Sequence, residues 1–157
     1  MVIGALALTA WGQPRATMDF DIMIATESIP ERLLNKLSRS GFKIDANWAQ
    51  YNPMIRGLQT RFRSGRVAVD ILLARDAHDH AAFTNRKKRR FNGYFLWFPS
   101  PEDLLLQKLK VGRPQDFSDA AGIVHRCSGT LDRRYLARWA LKLGITAELR
   151  HIAHFTA

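Results

Sequence analysis

Asp19-Phe20-Asp21 sets two carboxylates two residues apart inside the apolar-rich run Met18 to Ile24. On a β-strand, residues i and i+2 project from the same face, so the two acids stand side by side. Adjacent negative charges are costly unless a cation neutralises them, and magnesium takes carboxylate oxygens together with substrate phosphate. Asp70 supplies a third carboxylate, set in Val67-Ala68-Val69-Asp70-Ile71-Leu72-Leu73. An uncompensated charge in such a run is expensive to bury, which points to a functional reason for it. Three carboxylates from neighbouring strands can hold two cations about 4 Å apart, clamping the attacking and leaving oxygens of an in-line phosphoryl displacement. The plainer alternative for Asp19 and Asp21 is a solvent-facing edge strand.

The elements that would position these residues follow from periodicity. Met1 to Gly4 reads as the stub of a strand, and Ala5 to Gly12 as a short helix closed by glycine. Met18 to Ile24 alternates Phe20, Ile22 and Ile24 against Asp19, Asp21 and Met23, the period of a strand. Ser28 and Glu31 form a capping-box pattern before a helix whose apolar face is Ile29, Leu33, Leu34 and Leu37, ended by Gly41. Leu58 to Arg63 and Arg66 to Leu73 flank Ser64-Gly65 as an antiparallel hairpin, and Tyr94 to Phe98 is a further strand. Ser100-Pro101-Glu102-Asp103 opens a helix through Leu104, Leu105 and Leu109 with a cap residue, a first-turn proline and acids at the positive end of the dipole. Helices are then expected over Asp116 to Arg126, Asp132 to Lys142 and Thr146 to Ile152. The order is a mixed α/β half followed by an α half.

At 157 residues the chain suits one compact domain, with a core over 1–99 and a helical part over 100–157 packed on it. Its 24 lysines and arginines against 14 acids give a formal charge of +10, which favours polyanionic partners, nucleic acid first and nucleotide phosphates second. Cys127 is the only cysteine, so no internal disulfide is available and a cytoplasmic address is the default. The apolar opening Met1 to Trp11 lacks the basic flank of a signal peptide and is too short to span a bilayer, so no membrane partner is expected.

Beyond these patterns, Gly4-Ala5-Leu6-Ala7-Leu8-x-x-Trp11-Gly12-x-Pro14-Arg15-Ala16-Thr17-x-Asp19-x-Asp21 resembles the opening of the DNA polymerase beta-like nucleotidyltransferase superfamily. Within it, the AbiEii-like set of small prokaryotic nucleotidyltransferases of toxin–antitoxin and phage-defence systems is the most similar. Val69-Asp70-Ile71 is similar to the strand of the third carboxylate. Ser100-Pro101-Glu102-Asp103-Leu104 with Lys108-Leu109, then Arg113-Pro114-x-Asp116-x-x-Asp119, is similar to the helical segment that follows, so the likeness spans roughly residues 3 to 124.

The resemblance implies an α/β (α+β) nucleotidyltransferase fold, a small mixed sheet flanked by helices with a C-terminal helical part. It implies magnesium, as two ions with manganese as the alternative, held by Asp19, Asp21 and Asp70, and an NTP such as ATP as substrate. Asp70 would also orient or deprotonate the attacking hydroxyl. The Gly4-Ala5 turn would present backbone N–H groups to the triphosphate. Lys108 would screen the leaving pyrophosphate, and Arg15 and Thr17 would support the turn, with Arg15 a second phosphate ligand. The family has Gly-Gly or Gly-Ser where this chain has Gly4-Ala5, which removes a serine contact to phosphate. The chain starts three residues before Gly4, so the first strand is expected to be short: either the true start lies upstream, or the sheet is trimmed at that edge, which would leave the fold destabilised or the enzyme inactive.

Other residues carry weaker signals. Arg86-Lys87-Lys88-Arg89-Arg90 reads either as a grip on a nucleic-acid acceptor such as tRNA or as a solvated loop. Trp48, Tyr51 and Trp97 suit base stacking or ordinary packing. Asp116 and Asp119 read first as helix caps and second as partners of Lys108 and Arg113. His78-Asp79-His80 reads as a polar turn, since no second cluster completes a transition-metal site, and His125 with Cys127 lacks one too. Leu136, Trp139, Ala140 and Leu143 form a helical core stripe. The expected activity is magnesium-dependent transfer of a nucleoside monophosphate to a hydroxyl of RNA, protein or a small molecule, with a cognate antitoxin as a further partner. A catalytically inactive nucleic-acid-binding module and a two-metal nuclease are the alternatives.

Overall fold

A computed structural model describes residues 1–53 and 57–155; the last two residues of the expected helical part lie outside the described residues. In chain order it contains α1 (Gly4–Ala10), β1 (Asp19–Ile24), α2 (Glu31–Arg39), β2 (Lys43–Ile44) and α3 (Ala46–Tyr51). Next come β3 (Gln59–Ser64), β4 (Val67–Leu73), α4 (Ala77–Asn85), β5 (Lys87–Phe91) and β6 (Tyr94–Phe98). Four helices close the described chain: α5 (Pro101–Val111), α6 (Pro114–Cys127), α7 (Arg133–Leu143) and α8 (Thr146–Phe155).

The expected hairpin forms, but its turn is Gly65-Arg66 rather than Ser64-Gly65, so Ser64 belongs to β3 and pairs with Val67, and β4 then pairs with β1 on its other edge. The sheet order is β1-β4-β3-β2, with β1 parallel to β4 and the remaining pairs antiparallel. Parallel pairing sets Asp21 directly opposite Asp70, and residues opposite one another share a face. The other face carries Phe62, Val69 and Ile71, packed with Ile22, Ile24 and the apolar side of α2. β5 and β6 form a separate antiparallel ribbon.

The short opening strand is a single antiparallel bridge, Val2 to Ile22. It stitches the two sheets together: Val2 N donates to Trp97 O at 2.8 Å, while Ile3 N donates to Asp21 O and Met23 N to Met1 O, each at 2.9 Å. The larger core lies among α1, β6 and the C-terminal helices, built on Leu8, Phe98, Leu104, Leu105, Leu106, Leu109, Ile123 and Ile152. Ser100 caps α5 by accepting from Asp103 N at 3.1 Å, and Gly112 ends it at φ 72°.

Several local expectations give way to the structure. The Ser28 capping box does not form, and α2 starts after Pro30 without a side-chain cap. A helix capped by Ser28 would place Ile29 in helical conformation immediately before a proline, which the proline ring disfavours. The expected polar turn at His78-Asp79-His80 is instead the first turn of α4, capped by Asp76 accepting from Asp79 N at 2.9 Å. The basic run is strand rather than loop: Lys87 to Arg90 pair with β6 across a turn at Asn92-Gly93, both at positive φ. Asn-Gly is the dipeptide such a hairpin turn demands.

Asp103 does more than face a helix dipole. Fully buried, it accepts from Ser100 Oγ at 2.8 Å, Tyr135 OH at 2.6 Å and Asn85 Nδ2 at 3.3 Å, and lies 3.3 Å from His78 Nε2. Burial pushes its pKa up, but the hydrogen bonds of His78, Tyr135 and Ser100 outweigh that and hold it below the ordinary value. It therefore ties α4, α5 and α7 together.

Candidate active site

β1 and β4 deliver the carboxylates. Asp19 and Asp21 alternate with Phe20 and Ile22 on β1, and Asp70 stands across from Asp21 on β4. Thr17 Oγ1 accepts from Asp19 N at 3.2 Å and lies 3.1 Å from Asp19 O, fixing the entry into β1. All three acids open into one cavity of about 630 Å³, which Gly4, Ala5, Arg15, Thr17 and Lys108 also line. The run Arg86 to Arg90 lies elsewhere, on the ribbon.

Gly4 is required on two counts. Its φ of 66° is the left-handed region, and a Cβ there would stand 2.0 Å from Asp21 Oδ2. The opening turn is thus pressed against the carboxylate pair.

The electrostatics explain how the acids coexist. Asp21 has its pKa raised to about 6, first by burial and then by repulsion from Asp70 and Asp19, with Lys108 and Arg61 pulling the other way. Arg61, opposite Asp70 on β3, holds that carboxylate through both oxygens, Nε to Oδ1 at 2.7 Å and Nη2 to Oδ2 at 2.6 Å. The same Nη2 reaches Asp19 Oδ2 at 3.2 Å. The guanidinium lies over the Trp48 ring, 4.8 Å from its centroid, so Trp48 packs against this arginine.

A second group of cations lines the cavity wall. Lys108 Nζ bonds Asp119 Oδ2 at 2.8 Å and Asp116 Oδ1 at 3.2 Å. Arg15 Nη1 bonds Asp119 Oδ2 at 2.8 Å, and Arg113 Nε bonds Asp116 Oδ2 at 2.6 Å. Asp116 and Asp119 are 1% exposed, and they serve as anchors for these cations rather than as helix caps. α6 has no side-chain cap and begins with Pro114, whose missing N–H leaves one fewer group to satisfy. Three cations against two buried carboxylates leave a positive wall opposite the carboxylate strands.

No protein-family model matches the chain, and no curated protein is similar to it. Among solved structures, it is similar to an antigenic nucleotidyltransferase-like protein from Paracoccidioides brasiliensis. The two superpose with a TM-score of 0.51 at 18% identity, over 95% of this chain and 83% of the other. The fold is nucleotidyltransferase-like. The mixed sheet flanked by helices expected from the sequence is therefore present.

Within this nucleotidyltransferase-like fold the donor set suits a hard cation: Asp19, Asp21 and Asp70 offer only carboxylate oxygens, and Asp21, its pKa raised first by burial and then by its acidic neighbours, is a carboxylate whose charged form a cation would stabilise. A second grouping able to hold a metal lies on α4. Asp76, His78 and Asp79 bring ligand atoms within 4.8 Å of one another, the one trio of His, Cys, Asp or Glu to do so among the described residues. Lys110 Nζ already bonds both Asp76 and Asp79 there. The ligand atoms of Asp19, Asp21 and Asp70 do not all come that close together, and the Arg61 guanidinium stands between Asp70 and Asp19.

Sequence reasoning missed Arg61, Arg113 and Arg75 as cavity residues. The expected turn at Ser64-Gly65 would set Gln59 opposite Asp70; the observed Ser64-Val67 pair shifts the register and sets Arg61 there. Among the described residues no helix is long and apolar enough to cross a membrane.

Proposed function

We propose that this chain is a metal-dependent nucleotidyltransferase, moving a nucleoside monophosphate from an NTP to a hydroxyl acceptor with release of pyrophosphate. The observation that carries the proposal is the register of Asp21 against Asp70, with Asp19 on the same face and a cationic wall across one cavity. Asp19, Asp21 and Asp70 would hold magnesium, as two ions or with manganese in its place. Bound there, divalent metal supplies Lewis acidity and charge neutralisation at phosphate oxygens.

The chain's own groups do the rest. Lys108, Arg15 and Arg113 face the triphosphate, and Asp116 and Asp119 hold those cations in place before substrate arrives, so little reorganisation is needed. Asp70 accepts the proton of the attacking hydroxyl once Arg61 has released its oxygens. Gly4 lets the backbone lie against Asp21, whose carboxylate fills the space a side chain would need. RNA, including tRNA, is the preferred acceptor class on charge, with protein and small-molecule hydroxyls as alternatives. An AbiEii-like role with a cognate antitoxin rests on the sequence resemblance alone.

A radiolabelled-NTP transfer assay with magnesium tests the reading. Wild type should label an acceptor, and Asp19→Ala and Asp70→Ala should not. Equal labelling by all three would remove the assignment, and metal-dependent shortening of RNA without NTP would turn it into the nuclease. One observation favours the inactive module: Arg61 occupies Asp70 with both oxygens, as a metal would. That reading predicts no magnesium binding at millimolar concentration.

A further inference from the structure

β5 opens with four basic residues in succession, Lys87 to Arg90, all exposed, and ends on Phe91; its partner β6 is Tyr94-Phe95-Leu96-Trp97-Phe98. The pairing sorts them by face. Lys88 stands opposite Trp97 and Arg90 opposite Phe95, while Phe91, Leu96 and Phe98 turn to the larger core. The outer face therefore interleaves two cations with two aromatic rings. Phe95 is 65% exposed and Trp97 44%, with Tyr94 beside the turn at 74%. Arg86 lies over Trp97 at 4.8 Å and Lys88 over Phe95 at 5.2 Å, so charges and rings are held in one layer.

Exposed rings of this size beside a turn have no role in the folding of the core, and charge alone would not need them. A polyanion with flat faces uses both: phosphates meet the cations, and unpaired bases stack on the rings. Duplexes hide their base faces, whereas RNA is recognised through unpaired bases splayed onto aromatic side chains.

We infer that the outer face of the β5–β6 ribbon binds single-stranded RNA. The ribbon is joined to the carboxylate strand through Val2, which bonds Trp97 O and lies beside β1. Two strand spacings separate β6 from β1, roughly 10 Å. An RNA strand on the ribbon thus lies next to the cavity, as the acceptor of the proposed transfer; that second role rests on the nucleotidyltransferase reading, but binding itself does not.

Binding is measured on the full chain by fluorescence anisotropy with a labelled, unstructured 15-nucleotide RNA, without NTP or divalent metal. Lys88→Gln with Arg90→Gln should weaken binding at least tenfold and lower the slope of log affinity against log salt by about two. Phe95→Ser and Trp97→Ser should each weaken it about tenfold with the slope unchanged, and Trp97 fluorescence should be quenched on saturation. Lys36→Gln with Arg39→Gln, an equal loss of exposed charge on α2, should leave the ribbon's contribution intact. Equal weakening by this control, unquenched Trp97, or equally tight binding of an RNA duplex, a single-stranded DNA or a polyglutamate peptide would each overturn the inference. An Asp19→Asn protein that binds RNA like wild type but transfers nothing upholds the platform. RNA binding by a wild type that labels no acceptor discards only the transfer reading.

Discussion

Arg61 and Asp70 face each other across the β3–β4 pairing and form a two-point ion pair with distances of 2.6 and 2.7 Å. Asp70 is 2% exposed, so the arginine is the resident cation of a buried carboxylate that would otherwise be uncompensated. Hydrogen bonding to Asp70 raises the Arg61 pKa further. Anything that binds Asp70 as a cation must first displace this guanidinium.

Replacing Arg61 should therefore tighten divalent-ion binding. Arg61→Met is expected to raise manganese affinity at least tenfold, measured by calorimetry or by the EPR signal of free manganese, while Asp70→Asn lowers it. In metal-free buffer Arg61→Met should be destabilised by about 3 kcal/mol, the usual result of leaving one member of a buried pair alone, and manganese should restore much of that loss. Unchanged affinity would mean that Asp70 is not a metal ligand.

Asp21 makes metal-free stability depend on pH. Its folded pKa of about 6 exceeds the ordinary 3.8, so between those values the folded state keeps a proton that the unfolded chain has lost. Stability then falls as pH rises through this window and stays low above it, by at most about 3 kcal/mol. Asp21→Asn should match wild type at pH 4 and melt about 5 °C higher at pH 7.5 in chelator, by differential scanning fluorimetry. A variant melting below wild type at pH 7.5 would contradict the strain assigned to these carboxylates.

Gly4→Ala combines two penalties, positive φ and a Cβ that collides with Asp21 Oδ2. A loss of about 2 kcal/mol in chemical denaturation is expected, with left-handed backbone accounting for at least 1 of it. Metal affinity should fall too, because the carboxylate must move.

Lys108→Met leaves Asp116 and Asp119, both buried, with Arg113 on the one and Arg15 and Gln115 on the other. Stability should drop by about 3 kcal/mol. NTP affinity, followed by equilibrium dialysis at pH 7.5, should drop at least tenfold at a temperature where the variant is folded.

Much of this was legible in the chain. Alternation exposed β1, a run of β-formers beside a glycine turn exposed β4, the apolar setting of Asp70 marked it as special, and capping residues placed α5 and α7 within a residue or two of their observed starts. What escaped depends on neighbours distant in sequence. Asp116 and Asp119 look like caps until Arg15, 104 residues away from Asp119, is seen to bond it. His78 looks polar until it is enclosed by Asp103 and Trp139. The β5 strand was obscured by its charges, which disfavour a strand in isolation, although Asn92-Gly93 announced its turn. β2 is two residues long and held only by β3, a pairing no local pattern announces.

Met1 to Ile3 bond both sheets through backbone, while Val2 packs on the larger core and Ile3 is buried, so their spacing matters as well as their apolar character. Ile3 bonds Asp21 O, Val2 bonds Trp97 O, and Gly4 follows at the one point where no side chain fits. Adding a single residue between Val2 and Gly4 would slip the register by one, turn each side chain to the opposite face, and bring a Cβ against the Asp21 carboxylate. The spacing from Val2 to Gly4 is a ruler: apolar substitutions of Val2 and Ile3 should pass, and an insertion within it should not.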